Sequence, residues 1–384
     1  MKFRLLTFAA LILAVFTTSA FAAPAGIDEG LIDQEARYTL GLPTVPGVHR
    51  TLYFSADETF RFSHHPNLAI YEGKLIAMWS SGIRSEDERG QRVLWTSTDD
   101  GEVWRGPEVL VPAPDGLEGP MLAVAAGFHV DRENDRLVAF YSSIPHARPI
   151  DPDSALYAIA SSDGKEWGSP VRIVDGFFIE KPRRIPSGRI FMGGQFNPAE
   201  AGANESPPRL IYTDSPDGLD GWKDAEIPPF PGFVGRYPEP NWYLRPDGTM
   251  VMLLRAPRGI PWLYASESTD DGETWSEPAR TNIPSATARM ATGNLPDGRA
   301  FCVWNPSREF GRNPLVIALS EDGKVFDRAY VIRGEATTQR FDGARKSDGW
   351  QYPSVIVWQD YLWVAYSVNK EDVKISRIRL TDLR

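Results

Sequence analysis

The stretch that decides the fold is Phe230-Pro-Gly-Phe-Val-Gly-Arg-Tyr-Pro-Glu-Pro-Asn-Trp-Tyr-Leu-Arg-Pro-Asp-Gly-Thr-Met-Val-Met-Leu-Leu-Arg255. It predicts a strand that begins after Pro240, a tight turn at Pro246-Asp-Gly248, and an apolar strand that returns to Arg255. Because Glu239 precedes the first strand and Arg255 ends the second, charged groups bracket an apolar hairpin. This pattern indicates a polar site at the edge of a buried sheet.

Composition and charge limit the possible classes of protein. The chain has 384 residues, of which 42% are hydrophobic, enough for a large buried core. Two basic residues precede an apolar run from Leu5 to Phe16, and small residues follow at Ala20-Phe-Ala22. We therefore expect residues 1–22 to be a signal peptide and the protein to be secreted or periplasmic. The formal charge of −10 argues against nucleic acid as a partner, and no other stretch is apolar for long enough to span a membrane.

Two repeats run through the chain out of phase with each other. Hairpins like the one described above recur every 50 to 62 residues, with turn residues at Gly73, Asp135, Gly188, Gly248, Gly298 and Asp360. The second repeat has the form Ser-x-Asp-x-Gly-x-x-Trp, and its copies are Ser97–Trp104, Ser268–Trp275 and the shorter Ser161–Trp167 and Ser320–Phe326. Interleaved repeats of this length predict a propeller of four-stranded blades, with the tryptophans packed between blades.

The Ser-x-Asp-x-Gly-x-x-Trp turns resemble the Asp-boxes, or BNR repeats, of the sialidases. The resemblance extends from about Phe60 to Arg377 and implies a six-bladed β-propeller, which agrees with the six aligned hairpins. We therefore expect an all-β fold with four-stranded antiparallel blades over residues 51–384, preceded by an N-terminal segment at 23–50.

Residues that directly precede the innermost strands should meet in one pocket, because those strands start near the propeller axis. From the aligned turns, these residues are His64-His65, Ala125-Ala126, Glu180-Lys181, Glu239, Arg289-Met290 and Tyr352. A phenol, carboxylates, histidines and cations that converge in this way suit the binding of an acidic sugar.

The resemblance to sialidases implies roles for some of these residues. Sialidases use a tyrosine nucleophile with a glutamate as its base, and Tyr352 and Glu239 are similar to this pair. Arg255 and Arg312 resemble two of the three arginines that bind the substrate carboxylate, and Lys181 and Arg289 are further candidates for substrate binding. Planar guanidinium groups suit this role because they can hold a carboxylate through two parallel hydrogen bonds.

Two departures from the sialidase pattern affect the expected chemistry. His64-His65-Pro66 stands where blade one of a sialidase has Arg-Ile-Pro, and Ala125 stands where the catalytic acid is expected. A hydrolase would therefore need another acid, such as His64, His65 or a carboxylate from the loops Glu86-Asp-Glu88 and Asp151-Pro-Asp153. Since His64 and His65 are adjacent on an extended segment, we expect at most one of them to face the pocket.

The leading interpretation is a secreted exo-glycosidase that removes a terminal acidic sugar, with Tyr352 as nucleophile and Glu239 as its base. Two alternatives remain open, namely a lyase that acts on uronic acids through histidine and tyrosine, and a carbohydrate-binding propeller without catalysis. The sequence indicates no cofactor, and five scattered histidines without a carboxylate cluster argue against a metal site. We expect a monomer that binds an acidic glycan.

Overall fold

The computed structural model describes residues 23–56, 59–148, 150–197, 208–229, 237–257, 259–309 and 311–384. The expected signal peptide at residues 1–22 and the first residues of the stretch that begins at Phe230 lie outside this part of the chain. Strands are numbered in chain order. Two of them, β1 (Gly26–Ile27) and β2 (Val48–Tyr53), precede the blades.

The first half of the propeller contains three blades. Blade one consists of β3 (Phe62–Tyr71), β4 (Lys74–Gly82), β5 (Arg92–Thr98) and β6 (Glu108–Val111). Blade two consists of β7 (Met121–Asp131), β8 (Arg136–Pro145), β9 (Ala155–Ser161) and β10 (Val171–Asp175). Blade three consists of β11 (Phe177–Phe178), β12 (Arg183–Arg184), β13 (Ile190–Gln195), β14 (Pro208–Thr213) and β15 (Lys223–Asp224).

The second half contains the other three blades. Blade four consists of β16 (Asn241–Leu244), β17 (Met250–Leu254), β18 (Trp262–Ser268) and β19 (Ala279–Pro284). Blade five contains β20 (Ala291–Asn294), β21 (Ala300–Trp304), β22 (Leu315–Ser320) and β24 (Arg328–Arg333), while β23 (Val325–Phe326) pairs with β1. Blade six contains β25 (Trp350–Trp358), β26 (Tyr361–Val368) and β27 (Asp372–Arg379), with β2 as its fourth strand.

The predicted fold class is confirmed, since the chain forms a nearly all-β, six-bladed propeller with antiparallel blades. The first strand of each blade is innermost, and the chain then steps outward through successive hairpins. Blade three is a variant, because its innermost strand is divided into β11 and β12, which both pair with β13.

The ring is closed by the N-terminal strand β2, which forms the outer edge of blade six. It pairs with β27 in antiparallel register, with Val48 opposite Arg377 and Tyr53 opposite Val373. The expected start of the propeller at residue 51 therefore falls within β2. The hairpin repeat does not predict this pairing, because the two strands lie at opposite ends of the sequence.

The hydrophobic core consists of separate layers between neighbouring blades. Blades six and one, for example, meet through Leu75, Trp79, Trp358 and Trp363, all of which are buried. Because a blade packs against a neighbour on both faces, its middle strands are apolar on both faces, as in β17, where all five residues are buried. The layered packing leaves the axis for polar side chains.

The Asp-box turns brace the outer parts of the blades. Asp163 accepts hydrogen bonds from the backbone N–H groups of Lys165 and Glu166 at 2.8 and 2.9 Å. In the first box this acceptor is Asp100 rather than the aligned Asp99, so the turn starts one residue later than the sequence pattern suggested. These aspartates are held by their own turns, as expected for a structural role.

The described part of the chain contains no helix with the length and apolar character needed to cross a membrane. A single turn of 3-10 helix, Leu380–Asp382, follows β27.

Candidate active site

The innermost strands share an interruption near the axis, and proline marks it in four blades. The prolines are Pro66, Pro182, Pro240 and Pro353. Since proline has no N–H to donate, a regular ladder cannot continue through it. The pairing of β3 and that of β25 shift register at this point, and β16 begins just after it. Such irregularities redirect the neighbouring side chains.

Three of the residues that precede these prolines have left-handed backbone conformations. The φ angles are 56° at His65, 45° at Glu239 and 55° at Tyr352. A positive φ is uncommon for residues other than glycine and costs about 1–3 kcal/mol, and residues in such conformations cluster at functional sites. The aligned hairpin repeats predicted that these same residues lie at the axis. Backbone strain at all three positions favours a functional role over a purely structural one.

Tyr352, Glu239 and Arg255 form a hydrogen-bonded group on the axis. The Tyr352 hydroxyl donates to Glu239 Oε1 at 2.5 Å, and Arg255 Nη1 donates to the Tyr352 oxygen at 2.9 Å. Arg255 Nη1 also lies 2.9 Å from Glu239 Oε1. Glu239 and Tyr352 are only 2% and 5% exposed. The structure thus brings together three residues that the sequence identified separately.

The electrostatic environment keeps the phenol of Tyr352 protonated. Burial raises its pKa, and the carboxylate of Glu239 raises it further. Burial alone would lower the pKa of Arg255, but Glu239 and Tyr352 reverse this effect and raise it. The proton of Tyr352 therefore already points at a carboxylate that can accept it, while a guanidinium can stabilise the phenolate.

Two further guanidinium groups approach the Tyr352 ring. The Cζ atom of Arg312 lies 5.2 Å from the ring centroid, and that of Arg289 lies 5.9 Å from it. Arg289 is fully buried and pairs with Glu180, with Nε 2.6 Å from Oε1. Arg312 donates to the neutral amide oxygen of Gln351 at 2.6 Å and has no carboxylate partner among the residues described.

His64 and His65 both contact Tyr352, so the expectation that at most one would face the pocket is wrong. Their ring centroids lie 4.1 and 5.4 Å from that of Tyr352. The strict alternation of an extended strand fails here because β3 is irregular between His64 and Asn67 and His65 has a positive φ. Hydrogen bonds join His64 Nδ1 to Ser367 Oγ and His65 Nδ1 to Ser80 Oγ.

Both histidines are held in the neutral form. Burial lowers the pKa of His64 well below its usual value, and the nearby Lys370 adds to this effect. Burial also lowers the pKa of His65, to about 3, although Glu86 acts in the opposite direction. Neutral imidazoles can accept a proton, but they are poorly suited to donate one at neutral pH.

A carboxylate from blade one lies beside the two histidines. Glu86 is in the loop between β4 and β5, and its Oε1 atom is 3.9 Å from Nε2 of both His64 and His65. Its other oxygen accepts a hydrogen bond from Lys370, a residue that the sequence analysis missed. The alternative loop carboxylate, Asp151, pairs with Arg148 at 3.0 Å instead.

His64, His65 and Glu86 are also close enough together to hold a metal ion. Glu86 is separated in sequence from the two adjacent histidines, and the fold brings the three residues together. However, Lys370 already supplies a cation to Glu86, and Arg312 and Arg289 add positive charge nearby. We therefore assign no metal to this group.

Lys181 does not join the Tyr352 cluster, although the sequence analysis grouped it with substrate-binding candidates. Its ammonium donates to the backbone oxygens of Leu68 and Val355 at 3.3 and 2.7 Å, and so links blades one and six. Burial lowers its pKa to about 7. It lines an axial cavity of about 550 Å³ that also contacts Glu180 and Arg289. Blade two brings only the buried Ala125 to its aligned position.

The fold and this axial cluster define a six-bladed propeller with Asp-box turns and a group of buried polar side chains at its centre. A family model described as the BNR repeat-like domain matches residues 73–364. Because this match covers more than half of the sequence, the chain belongs to the BNR repeat-like domain family. No curated protein sequence matches the chain.

Solved structures with similar folds include several sialidases. A protein named sialidase is 22% identical with a TM-score of 0.68, and the match covers 93% of this chain and 35% of that one. The intramolecular trans-sialidase from Ruminococcus gnavus, in complex with oseltamivir carboxylate, is 14% identical with a TM-score of 0.66, covering 91% and 99%. A protein of unknown function from Dyadobacter fermentans is 14% identical with a TM-score of 0.61, covering 86% and 99%. The chain thus spans about a third of the length of the first of these proteins, and such identities establish the fold alone.

Proposed function

We propose that the protein is a retaining exo-glycosidase that removes a terminal acidic sugar from glycans outside the cytoplasm. The observation that carries this proposal is the hydrogen-bonded group of Tyr352, Glu239 and Arg255, in which a buried phenol donates to a buried carboxylate at 2.5 Å. A phenol next to a base can act as a nucleophile while it is uncharged, unlike a carboxylate nucleophile, which is negatively charged when it approaches the substrate. This is an advantage when the substrate itself carries a carboxylate near the reacting carbon.

In the first step, the Tyr352 oxygen attacks the anomeric carbon while its proton passes to Glu239 Oε1. The bond between that carbon and the glycosidic oxygen breaks, and the leaving oxygen needs a proton. We assign this role to Glu86 in its protonated form, because its side chain is partly exposed and it is bound to neither Tyr352 nor Glu239. In the second step, Glu86 as a carboxylate takes a proton from water, and the water oxygen attacks the same carbon. The bond between that carbon and the Tyr352 oxygen breaks, and Tyr352 recovers its proton from Glu239.

Arg312 is the residue proposed to bind the substrate carboxylate. Arg255 pairs with Glu239, Arg289 with Glu180 and Lys370 with Glu86, so each of these cations already faces a carboxylate. Arg312 donates to a neutral amide and lies against the Tyr352 ring, and it pairs with no carboxylate within the described residues. Of these four cations, one positive charge is therefore left without a paired carboxylate. One carboxylate on the ligand matches this balance.

Polysaccharide lyase activity on uronic acids is the second candidate, and the histidine pair favours it. His64 Nε2 is buried without a hydrogen-bond partner in the described structure, and its ring lies against Tyr352. A neutral imidazole could remove the proton next to a uronate carboxylate, while the phenol protonates the leaving oxygen. We rank this reaction second because it leaves the close contact between Tyr352 and Glu239 without a function, and because the lowered pKa of His64 makes its imidazole a weak base.

The test is to incubate the purified protein with sialylated and uronate-containing glycans and to identify the products by mass. Hydrolysis adds the mass of water, whereas elimination gives an unsaturated uronate that absorbs in the ultraviolet. The Tyr352→Phe variant is the matched control, since it removes one oxygen and retains the ring. Products that gain water with the native protein alone support the proposal. Binding without any product would instead favour a carbohydrate-binding protein.

A further inference from the structure

Lys370 occupies a position where a long, charged side chain is unexpected. It is the middle residue of the three-residue turn between β26 and β27, after Asn369 and before Glu371. Asn369 and Lys370 both have φ near 57°, the arrangement for which Asn-Gly is the preferred sequence. Lys370 is nevertheless 4% exposed, whereas a lysine at a hairpin turn is ordinarily in water. A strained, buried lysine whose ammonium bonds to Glu86 beside the axial histidines suggests a role for its side chain.

The side chain of Lys370 reaches from blade six to blade one. Its ammonium donates to Glu86 Oε2, and this leaves Oε1 facing the histidines at 3.9 Å. The backbone oxygen of Lys370 also accepts a hydrogen bond from the Ser63 N–H at 2.9 Å, next to His64. Lys370 thus fixes both the orientation of the Glu86 carboxyl group and the strand that presents the histidines.

The backbone around Glu86 has other supports, so the role of the ammonium can be separated from loop folding. Residues 335–348, between β24 and β25, form a segment that we call the strap. The Glu86 N–H donates to the Ala344 oxygen in the strap, and the Ala344 N–H donates to Ser85 Oγ. Arg345 in the strap pairs with Asp87. Removal of the Lys370 side chain should therefore leave the loop in place.

The charges around Glu86 act against the cost of its burial. Burial by itself would raise the pKa of Glu86, but the charge and hydrogen bond of Lys370, together with the charge of Arg312, more than offset this, and the pKa is lowered. The other titratable groups that face this carboxyl group are His64, His65, Asp87 and Tyr352. Lys370 makes the largest of the favourable contributions, and among the described residues it is the one cation hydrogen-bonded to Glu86.

We propose that Lys370 is a positioning residue that holds Glu86 for proton transfer to the leaving group and sets the pH range in which the enzyme cleaves natural glycosides. This inference rests on the proposed function, in which Glu86 must be protonated to act as the acid. With the ammonium in place, Glu86 loses its proton at lower pH. Cleavage of unactivated substrates is therefore confined to more acidic conditions.

The kinetic test compares the native protein with Lys370→Gly and Lys370→Arg. Glycine suits the positive φ, so the first variant removes the charge without adding backbone strain. A hydrogen-bonded opposite charge typically lowers the pKa of a carboxyl group by about 1–3. We therefore expect the alkaline limb of the pH profile of kcat/KM for a natural glycoside to move up by about one pH unit or more in Lys370→Gly. Lys370→Arg should retain the native limb. An aryl glycoside, whose leaving group needs no proton, should show no such displacement.

A direct measurement decides the question even without turnover. Glutamate carboxyl groups labelled with ¹³C can be titrated by NMR, and Glu86 is identified by the signal that Glu86→Gln removes. We expect the titration midpoint of Glu86 to be higher in Lys370→Gly than in the native protein, and to be unchanged in Lys370→Arg. An unchanged midpoint, or coincident pH profiles, would overturn the role of Lys370. A shifted midpoint in a protein that cleaves no glycoside would instead refute the proposed function and leave the Lys370–Glu86 relation standing.

Discussion

At the scale of single residues, the proposed chemistry depends on which charges are already paired. Alignment of the six hairpin repeats was sufficient to select Tyr352 and Glu239, which directly precede prolines, because a propeller brings the starts of its innermost strands to one axis. It could not show that Arg255 is committed to Glu239 while Arg312 is free of carboxylates in the described structure. Lys370 had no signal at all, since an Asn-Lys turn ordinarily indicates a solvent-exposed hairpin.

Arg312→Ala should weaken the binding of carboxylated sugars about tenfold or more, and should hardly affect their methyl esters. Charge-assisted hydrogen bonds typically contribute about 1.5–3 kcal/mol, and the ester cannot form them. Calorimetric titration with matched acid and ester ligands measures the difference. Equal losses for both ligands would mean that Arg312 supports the pocket and does not read the carboxylate.

Glu239→Gln should reduce kcat by about 10²–10⁴-fold, the usual contribution of a general base. The amide has nearly the same shape, but it cannot take up the proton of Tyr352. Substrate affinity should change much less, and the loss should be similar for natural and aryl glycosides because both need the nucleophile. A variant that retained native kcat would exclude Glu239 as the base.

At the scale of strands and loops, irregular elements decide the site. Period-two alternation predicted that His64 and His65 would point apart, but the interruption of β3 brings both to Tyr352. The strap is a second such element. Glu371 accepts hydrogen bonds from the backbone of Arg340 and Phe341 and from Lys346 Nζ. Contacts of this kind arise from loops without a repeat, so the sequence pattern could not predict them.

Glu371→Ala should destabilise the protein by about 3–5 kcal/mol, the usual cost of breaking a buried ion pair. Lys346 and Glu371 have side-chain exposures of 0% and 1%, so the lysine would be left buried without its partner. The matched control is Arg50→Ala, which breaks a pair with exposures of 46% and 41% and should cost no more than about 1 kcal/mol. Denaturant unfolding compares the two. Similar losses would show that Glu371 does not anchor the strap.

At the scale of the whole molecule, the repeats predicted the number of blades and the position of the axis. They did not predict how the ring closes, because β2 pairs with β27 across almost the entire chain length. Five of the six blades are complete in their own sequence, and the sixth depends on the N-terminal segment. Closure of this kind joins the first and last parts of the chain in one sheet.

Removal of residues 1–53 should therefore open the ring and expose β27 as an unpaired edge, which favours aggregation. Removal of residues 1–22 alone should leave the described fold unchanged. Thermal unfolding and size-exclusion chromatography of the two truncated proteins test this difference. If the shorter protein remained monomeric with an unchanged Tm, closure by β2 would contribute little to stability.

The central claim is that Tyr352 attacks the anomeric carbon, and trapping of the covalent intermediate tests it most directly. A fluorinated acidic glycosyl fluoride has a good leaving group, so it should form the glycosyl-enzyme without an acid, while the second fluorine slows its hydrolysis. Mass spectrometry of the digested protein should find one sugar on the peptide that contains Tyr352, and none in Tyr352→Phe. A sugar on Glu239 or another residue, or turnover without any adduct on Tyr352, would contradict the account.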